Sequence, residues 1–141
     1  MPKGSKELLD AMNEALSEEL ASIIQYLYHH IQARGMDSAS VGEVFKGLSM
    51  IEMNHAYKLA ERIDLLGGAP TTAIGPIRLG GDLKKMLDDN LQAEYEAIEM
   101  YQRLVALAEK ENDPVTRRLM EDILGDTEEH ADKLENLLGK K

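Results

Sequence analysis

The 141-residue chain contains no cysteine, which excludes disulfides, thiolate zinc sites, cysteine-held iron–sulfur clusters and thiol catalysis together. Any metal chemistry must rest on histidine and carboxylate side chains. There is no uninterrupted apolar run of membrane-spanning length, and no apolar signal core follows the start Met1-Pro2-Lys3-Gly4-Ser5. The expected setting is therefore the cytoplasm, with no membrane partner. Positive charge is scarce as well: 16 Lys and Arg against 26 Asp and Glu leave a net charge of −10. That balance disfavours a sequence-independent grip on nucleic-acid phosphates, and Lys140 with Lys141 is too short a basic run for a nucleic-acid-binding tail. Metal cations are the more natural partners. One domain over residues 1–141 is expected, large enough to bury about two-thirds of the surface its unfolded form would expose.

What the chain does have is helix periodicity. Leu9, Met12, Leu16, Leu20, Ile23, Leu27 and Ile31 recur in steps of three and four, which predicts one apolar stripe along a helix over 5–34. Gly35 supplies a left-handed stop. Asp37-Ser38 or Ser40 can cap a second helix over 38–66 carrying Val44, Leu48, Ile51, Leu59, Ile63 and Leu66, although Gly42 and Gly47 weaken its first turns. Residues 67–81, GGAPTTAIGPIRLGG, hold two prolines and five glycines and read as a long ordered connection. Asp82 caps a third helix over 82–111, and Asp113-Pro114 places a cap and an N1 proline at the head of a fourth over 114–138. Two short turns around one long crossover predict an all-α four-helix bundle of up-down pairs.

A repeat runs through these helices. Glu19, Tyr26, His55 and Ala56 reappear 75 positions later as Glu94, Tyr101, His130 and Ala131. Helices one and three are thus equivalent, as are two and four. Glu52 and His55, three residues apart, stand one turn above one another among Leu48, Ile51 and Leu59, and can reach one point between helices. Glu19 and Glu94 each interrupt an apolar stripe at mid-helix, and each precedes its histidine by 36 residues, so all these side chains can meet at one height. Ionisable groups on an apolar face are costly to bury without a partner. One element breaks the pattern: the equivalent of Glu52 is Thr127.

A carboxylate from each of two helices, with Glu-x-x-His from the others, is the ligand set of di-iron and di-manganese bundles. The segments EELASIIQYLYHH, IEMNHAYKLAERIDLLGGAP, LQAEYEAIEMYQRL and ILGDTEEHADKLENLL resemble bacterioferritin across nearly the whole chain. The resemblance implies iron at a dinuclear site, with Glu19 and His55 on one metal, Glu94 and His130 on the other, and Glu52 bridging. It makes Tyr26 and Tyr101 neighbours of that site and Met53, immediately after the bridging glutamate, a candidate haem ligand between two subunits. The implied activity is oxidation of Fe²⁺ by O₂ or H₂O₂, with ferric iron stored in a homo-oligomeric shell built from dimers.

Position 127 departs from the family, which has a second bridging glutamate there. Two Fe²⁺ ions bring +4, and the three carboxylates of Glu19, Glu52 and Glu94 leave +1, so a looser or partly loaded site is expected. Asp126 lies one turn before His130 and can add charge, whereas Glu128 points about 160° away from it around the helix. The chain also ends directly after the fourth helix, without the family's short fifth, which implies a shell of twelve subunits or a dimer in place of the usual twenty-four. His29 and His30 read as surface or interface residues. The alternatives are a rubrerythrin-like peroxide reductase, which the lack of cysteine disfavours, and a non-enzymatic haem-binding or structural bundle with a weakened site.

Overall fold

Ser5, Asp82 and Asp113 each turn a side-chain oxygen to the backbone N–H three residues on, at Leu8, Lys85 and Thr116. Each thereby satisfies a donor that a helix start leaves unpaired, worth about 1 kcal/mol. The computed structural model describes residues 1–140 and holds four helices: α1 (Lys6–Gln32), α2 (Ser38–Leu65), α3 (Leu83–Lys110) and α4 (Pro114–Leu138). Lys141, half of the terminal lysine pair, lies outside the described residues. α2 starts after Asp37 without a side-chain cap; the Ser40 hydroxyl donates to the Asp37 carbonyl at 3.2 Å instead. Gly139, at φ 70°, closes α4 in the left-handed conformation that glycine adopts without steric penalty. Among the described residues there is no strand, and no helix is long and apolar enough to cross a membrane.

α1 packs on α2 and α3 on α4, and the two hairpins meet mainly along α1 and α3. Residues 67–81 carry the chain from the end of α2 back along α1. Asn13 clamps the lower part, donating to the Ala69 carbonyl and accepting from the Thr71 N–H. Gly75 N–H donates to Ser17 O, and Arg78 N–H donates to Gln25 Oε1. Gly68 permits the first bend, since a Cβ there would stand 2.9 Å from Leu9 Cδ2 and 3.0 Å from Ile63 Cγ2. These contacts order the crossover and run it antiparallel to α2, so that α3 begins at the far end of the bundle.

The core has two apolar parts. Leu8, Met12, Leu16, Leu59, Ile63, Leu104, Met120 and Ile123 fill one end. Phe45, Leu48, Met86, Leu87, Leu91 and Leu134 fill the other. Between them, on every helix, lies a polar interval containing Glu19, Glu52, His55, Glu94, Thr127 and His130, all buried.

Two expectations about α1 need correction. Leu27 and Ile31, placed on the apolar stripe, are 48% and 55% exposed. At 100° per residue they lie about 80° and 120° around the helix from Glu19, because successive steps of four rotate the stripe off the core. The inward positions go to Gln25, Tyr26 and His29. His29 is accordingly no surface residue: it is 1% exposed, packs on Phe45 with ring centroids 5.7 Å apart, and contacts Asn90 at 2.7 Å. His30 remains near the surface, with Nδ1 2.7 Å from the Gly42 carbonyl.

Candidate metal centre

The polar interval is a single constellation. Glu52, from the middle of α2, presents one carboxylate oxygen to each histidine: Oε2 is 3.6 Å from His55 Nδ1, and Oε1 is 3.0 Å from His130 Nδ1. Glu19 Oε2 approaches His55 Nδ1 at 3.5 Å, and Glu94 Oε1 approaches His130 Nδ1 at 3.5 Å. The two imidazoles stack with centroids 6.1 Å apart and planes 21° from parallel. Two triads, Glu19–Glu52–His55 and Glu52–Glu94–His130, thus share Glu52, and within each the ligand atoms lie within 4.8 Å of one another. The tyrosines cross between the halves of the repeat: Tyr101 donates to Glu19 Oε1 at 2.6 Å and Tyr26 to Glu94 Oε1 at 2.7 Å.

Four atoms of this layer are buried without a hydrogen-bond partner: Glu19 Oε2, Glu52 Oε1, His55 Nδ1 and His130 Nδ1. Buried polar atoms are ordinarily paired, and leaving them otherwise costs about 1–3 kcal/mol each. Here the orphans converge from α1, α2 and α4 on one place, and imidazole nitrogen with carboxylate oxygen suits first-row divalent metals. The residues fit a dinuclear centre of Fe²⁺ type, with a donor set one carboxylate short. Thr127 does not fill the gap: it is buried and its hydroxyl donates to Ile123 O of its own helix at 2.8 Å.

Burial, with the Glu52 charge, raises the Glu19 carboxyl well above the carboxylate range. Glu52 is pulled the other way: burial and Glu94 oppose its charge, but contacts to Glu19, His130 and His55 hold it below its ordinary value. Burial alone would lower both histidines, yet the adjoining carboxylates push His55 up to about 11 and His130 up to about 10. Burial, then the carboxylates, raise Tyr26 and Tyr101 well above the phenol range. The carboxylates that favour a proton on each histidine equally favour a cation, so metal binding would displace protons.

Asp126 sits behind this layer. It accepts from His55 Nε2 at 2.8 Å with its side chain 48% exposed, so it backs the histidine and does not face the ligand atoms. That bond leaves Nδ1 of His55 as the ring atom free to bind metal. Glu128 is exposed. Met53 lies on the outside of α2, 45% exposed. Sequence reasoning missed the buried chain in which Arg78 N–H donates to Gln25 Oε1, Gln25 Nε2 to Asn90 Oδ1, and Asn90 Nδ2 to His29 Nδ1. Its only trace in one dimension is that Gln25 and Asn90 adjoin Tyr26 and Leu91 on otherwise apolar faces. A groove of about 200 Å³ between α1 and α3, walled by Glu14, Glu18, Arg78 and Glu96, reaches Glu19 from solvent.

Comparison with known proteins agrees with this arrangement. The ferritin-like domain model matches residues 9–141. The chain is 31% identical to a bacterioferritin of Brucella melitensis over 96% of its own length and 85% of the relative's. A mycobacterial bacterioferritin structure superposes with a TM-score of 0.92 at 33% identity, covering 97% of this chain and 86% of that one. A ferritin-like diiron-carboxylate protein from Bacillus anthracis superposes equally, with a TM-score of 0.92 at 32% identity over 94% of this chain and 96% of that one. With a four-helix bundle, two carboxylate–histidine triads at its waist and these relatives along nearly its whole length, the chain belongs to the ferritin-like family of iron-storage bundles that includes the bacterioferritins.

Proposed function

We propose that the layer of Glu19, Glu52, His55, Glu94 and His130 takes up Fe²⁺ as substrate and oxidises it with O₂ or H₂O₂. Two Fe²⁺ ions side by side give up one electron each. With two protons they reduce O₂ to H₂O₂, or H₂O₂ to two waters, without releasing a one-electron oxygen radical. The observation that carries this reading is the convergence of four unpartnered ligand atoms in one buried layer. Tyr26 and Tyr101 hold Glu94 and Glu19 in place and stand ready to quench stray oxidising equivalents. The groove beside Glu19 gives small cations a route from solvent, and its glutamates favour them electrostatically.

The ferric product is stored or detoxified in a homo-oligomeric shell in the cytoplasm, as the family resemblance implies. Met53, 45% exposed on the outside of α2, would hold a haem through its thioether where two subunits meet, and a haem bound there would supply one-electron transfer. A Soret band that Met53→Leu abolishes tests that part. The main reading is tested by loading the purified protein anaerobically with Fe²⁺, adding O₂ or H₂O₂, and following ferric absorbance together with iron retained on size exclusion. Oxidation with retained iron in a particle larger than a dimer is expected. Sustained peroxide turnover without retained iron would favour a rubrerythrin-like peroxide reductase. No bound iron at all would favour a bundle whose site decayed at Thr127, whose hydroxyl is turned to its own helix.

A further inference from the structure

Among the positions where the 75-residue offset pairs unlike residues, two adjacent ones adjoin the histidine layer. Thr127 stands where Glu52 would recur, and Asp126 stands where Ile51 would. The second mismatch separates the two histidines chemically. His55 donates from Nε2 to Asp126 at 2.8 Å. The residue in the matching relation to His130 is Ile51, a hydrocarbon that accepts nothing. Among the described residues His130, 4% exposed, meets carboxylates only through Nδ1, and none pairs with its Nε2.

A carboxylate behind a ligating histidine fixes its tautomer and ring orientation and makes the ligating nitrogen more basic; losing it lowers metal affinity about 10–100-fold. The other differences do not favour one position over the other in the same direction. Thr127 removes a shared donor from both positions, which leaves each more dependent on its histidine. Glu52 stands nearer His130, at 3.0 Å, than His55, at 3.6 Å, so the bridging carboxylate does not single out the His55 side. Glu19 and Glu94 are each held by one tyrosine hydroxyl at nearly the same distance.

We propose that the two metal positions are unequal: a divalent cation enters the Glu19–Glu52–His55 position first and is held there, the Glu52–Glu94–His130 position fills second and weakly, and Asp126 is the positioning residue that sets this order. The inference rests on the reading of the layer as a metal site. It makes the second cation the exchangeable one, bound beside a resident first.

The test is an anaerobic titration of the purified protein with Co²⁺ alone, its visible d–d absorption reporting each step and circular dichroism reporting the helices of each variant. The first Co²⁺ per chain should bind at least about tenfold more tightly than the second. Glu19→Gln should remove the tight step and Glu94→Gln the weak one. Asp126→Leu should weaken the first step about tenfold or more, and Ile51→Asp, at a partly exposed position where folding is tolerant, should tighten the second. Two equal steps, a tight step lost with Glu94 in place of Glu19, or an Asp126→Leu protein with both steps unmoved would overturn the inference alone. No Co²⁺ binding sensitive to Glu52→Ala would overturn the metal-site reading and this inference with it.

Discussion

Tyr101 on α3 donates its hydroxyl to Glu19 on α1 at 2.6 Å, across the two halves of the repeat. Tyr26 returns the relation to Glu94. Each tyrosine fixes one oxygen of a glutamate contributed by the other half, which leaves the second oxygen of Glu19 unpaired inside the layer. Tyr101→Phe should therefore weaken divalent-metal binding at the Glu19 position more than at the Glu94 position, and Tyr26→Phe should do the reverse. Each should also lower metal-free stability by about 1 kcal/mol, the usual value of one hydrogen bond, measured by urea unfolding.

Thr127→Glu restores the missing carboxylate between the histidines. Tighter metal binding and faster Fe²⁺ oxidation are expected from stopped-flow absorbance. The metal-free variant should be less stable, by about 1–3 kcal/mol, because another ionisable group is buried at a position that is now 1% exposed. A variant that gains stability without metal and gains no affinity would contradict this.

The metal-free protein should lose stability as pH rises. His55 and His130 move from 6.5 up to about 11 and about 10 on folding. Raised groups stabilise fully below their unfolded value, and that contribution is lost as pH climbs through the folded ones. The loss is at most about 1.4 kcal/mol per pH unit for each histidine. Glu19, also raised, acts in the same direction from its unfolded value of 4.5 upward. Glu52, lowered, limits stability on the acid side. The thermal midpoint should peak near pH 5–6 without metal and fall toward pH 9. Metal binding should release protons, seen by calorimetry in buffers of different ionisation enthalpy.

Asp113 caps α4 through the Thr116 N–H and hydroxyl, and pairs with Arg62 of α2 at 3.0 Å. Burial works against its charge, but Thr116 and Arg62 outweigh it and hold its carboxyl below the ordinary value. The stabilisation is present above the unfolded value of 3.8 and is lost as pH falls through the lower folded one. Asp113→Ala should cost about 1–2 kcal/mol at pH 7, with a smaller difference from wild type near pH 2 in urea melts.

Gln25→Leu breaks the chain linking the crossover to His29. It leaves the Arg78 N–H and Asn90 Oδ1 without their partner, a loss of about 1–3 kcal/mol. Hydrogen exchange should accelerate in residues 76–80 before it does in the helices. Unchanged protection there would show that Gly75 and Ser17 suffice to hold the crossover.

The linear order of residues determined the bundle and the level of its waist. Helical spacing, the caps at Asp82 and Asp113, the stop at Gly139, and the equal interval from Glu19 to His55 and from Glu94 to His130 are all properties of one dimension, because a helix converts sequence separation directly into height and angle. Gly35 is not the stop that its position predicts, since α1 already ends at Gln32 with Ala33 as its C-cap. Tertiary structure alone decided which side chains meet. Periodicity could not tell that Tyr101 serves Glu19, that Asp126 lies behind His55 while Ile51 offers His130 nothing, or that Leu27 faces outward and His29 inward. Those outcomes depend on how one helix is rotated against its neighbour, and burial is settled between surfaces, so no single helix carries the information.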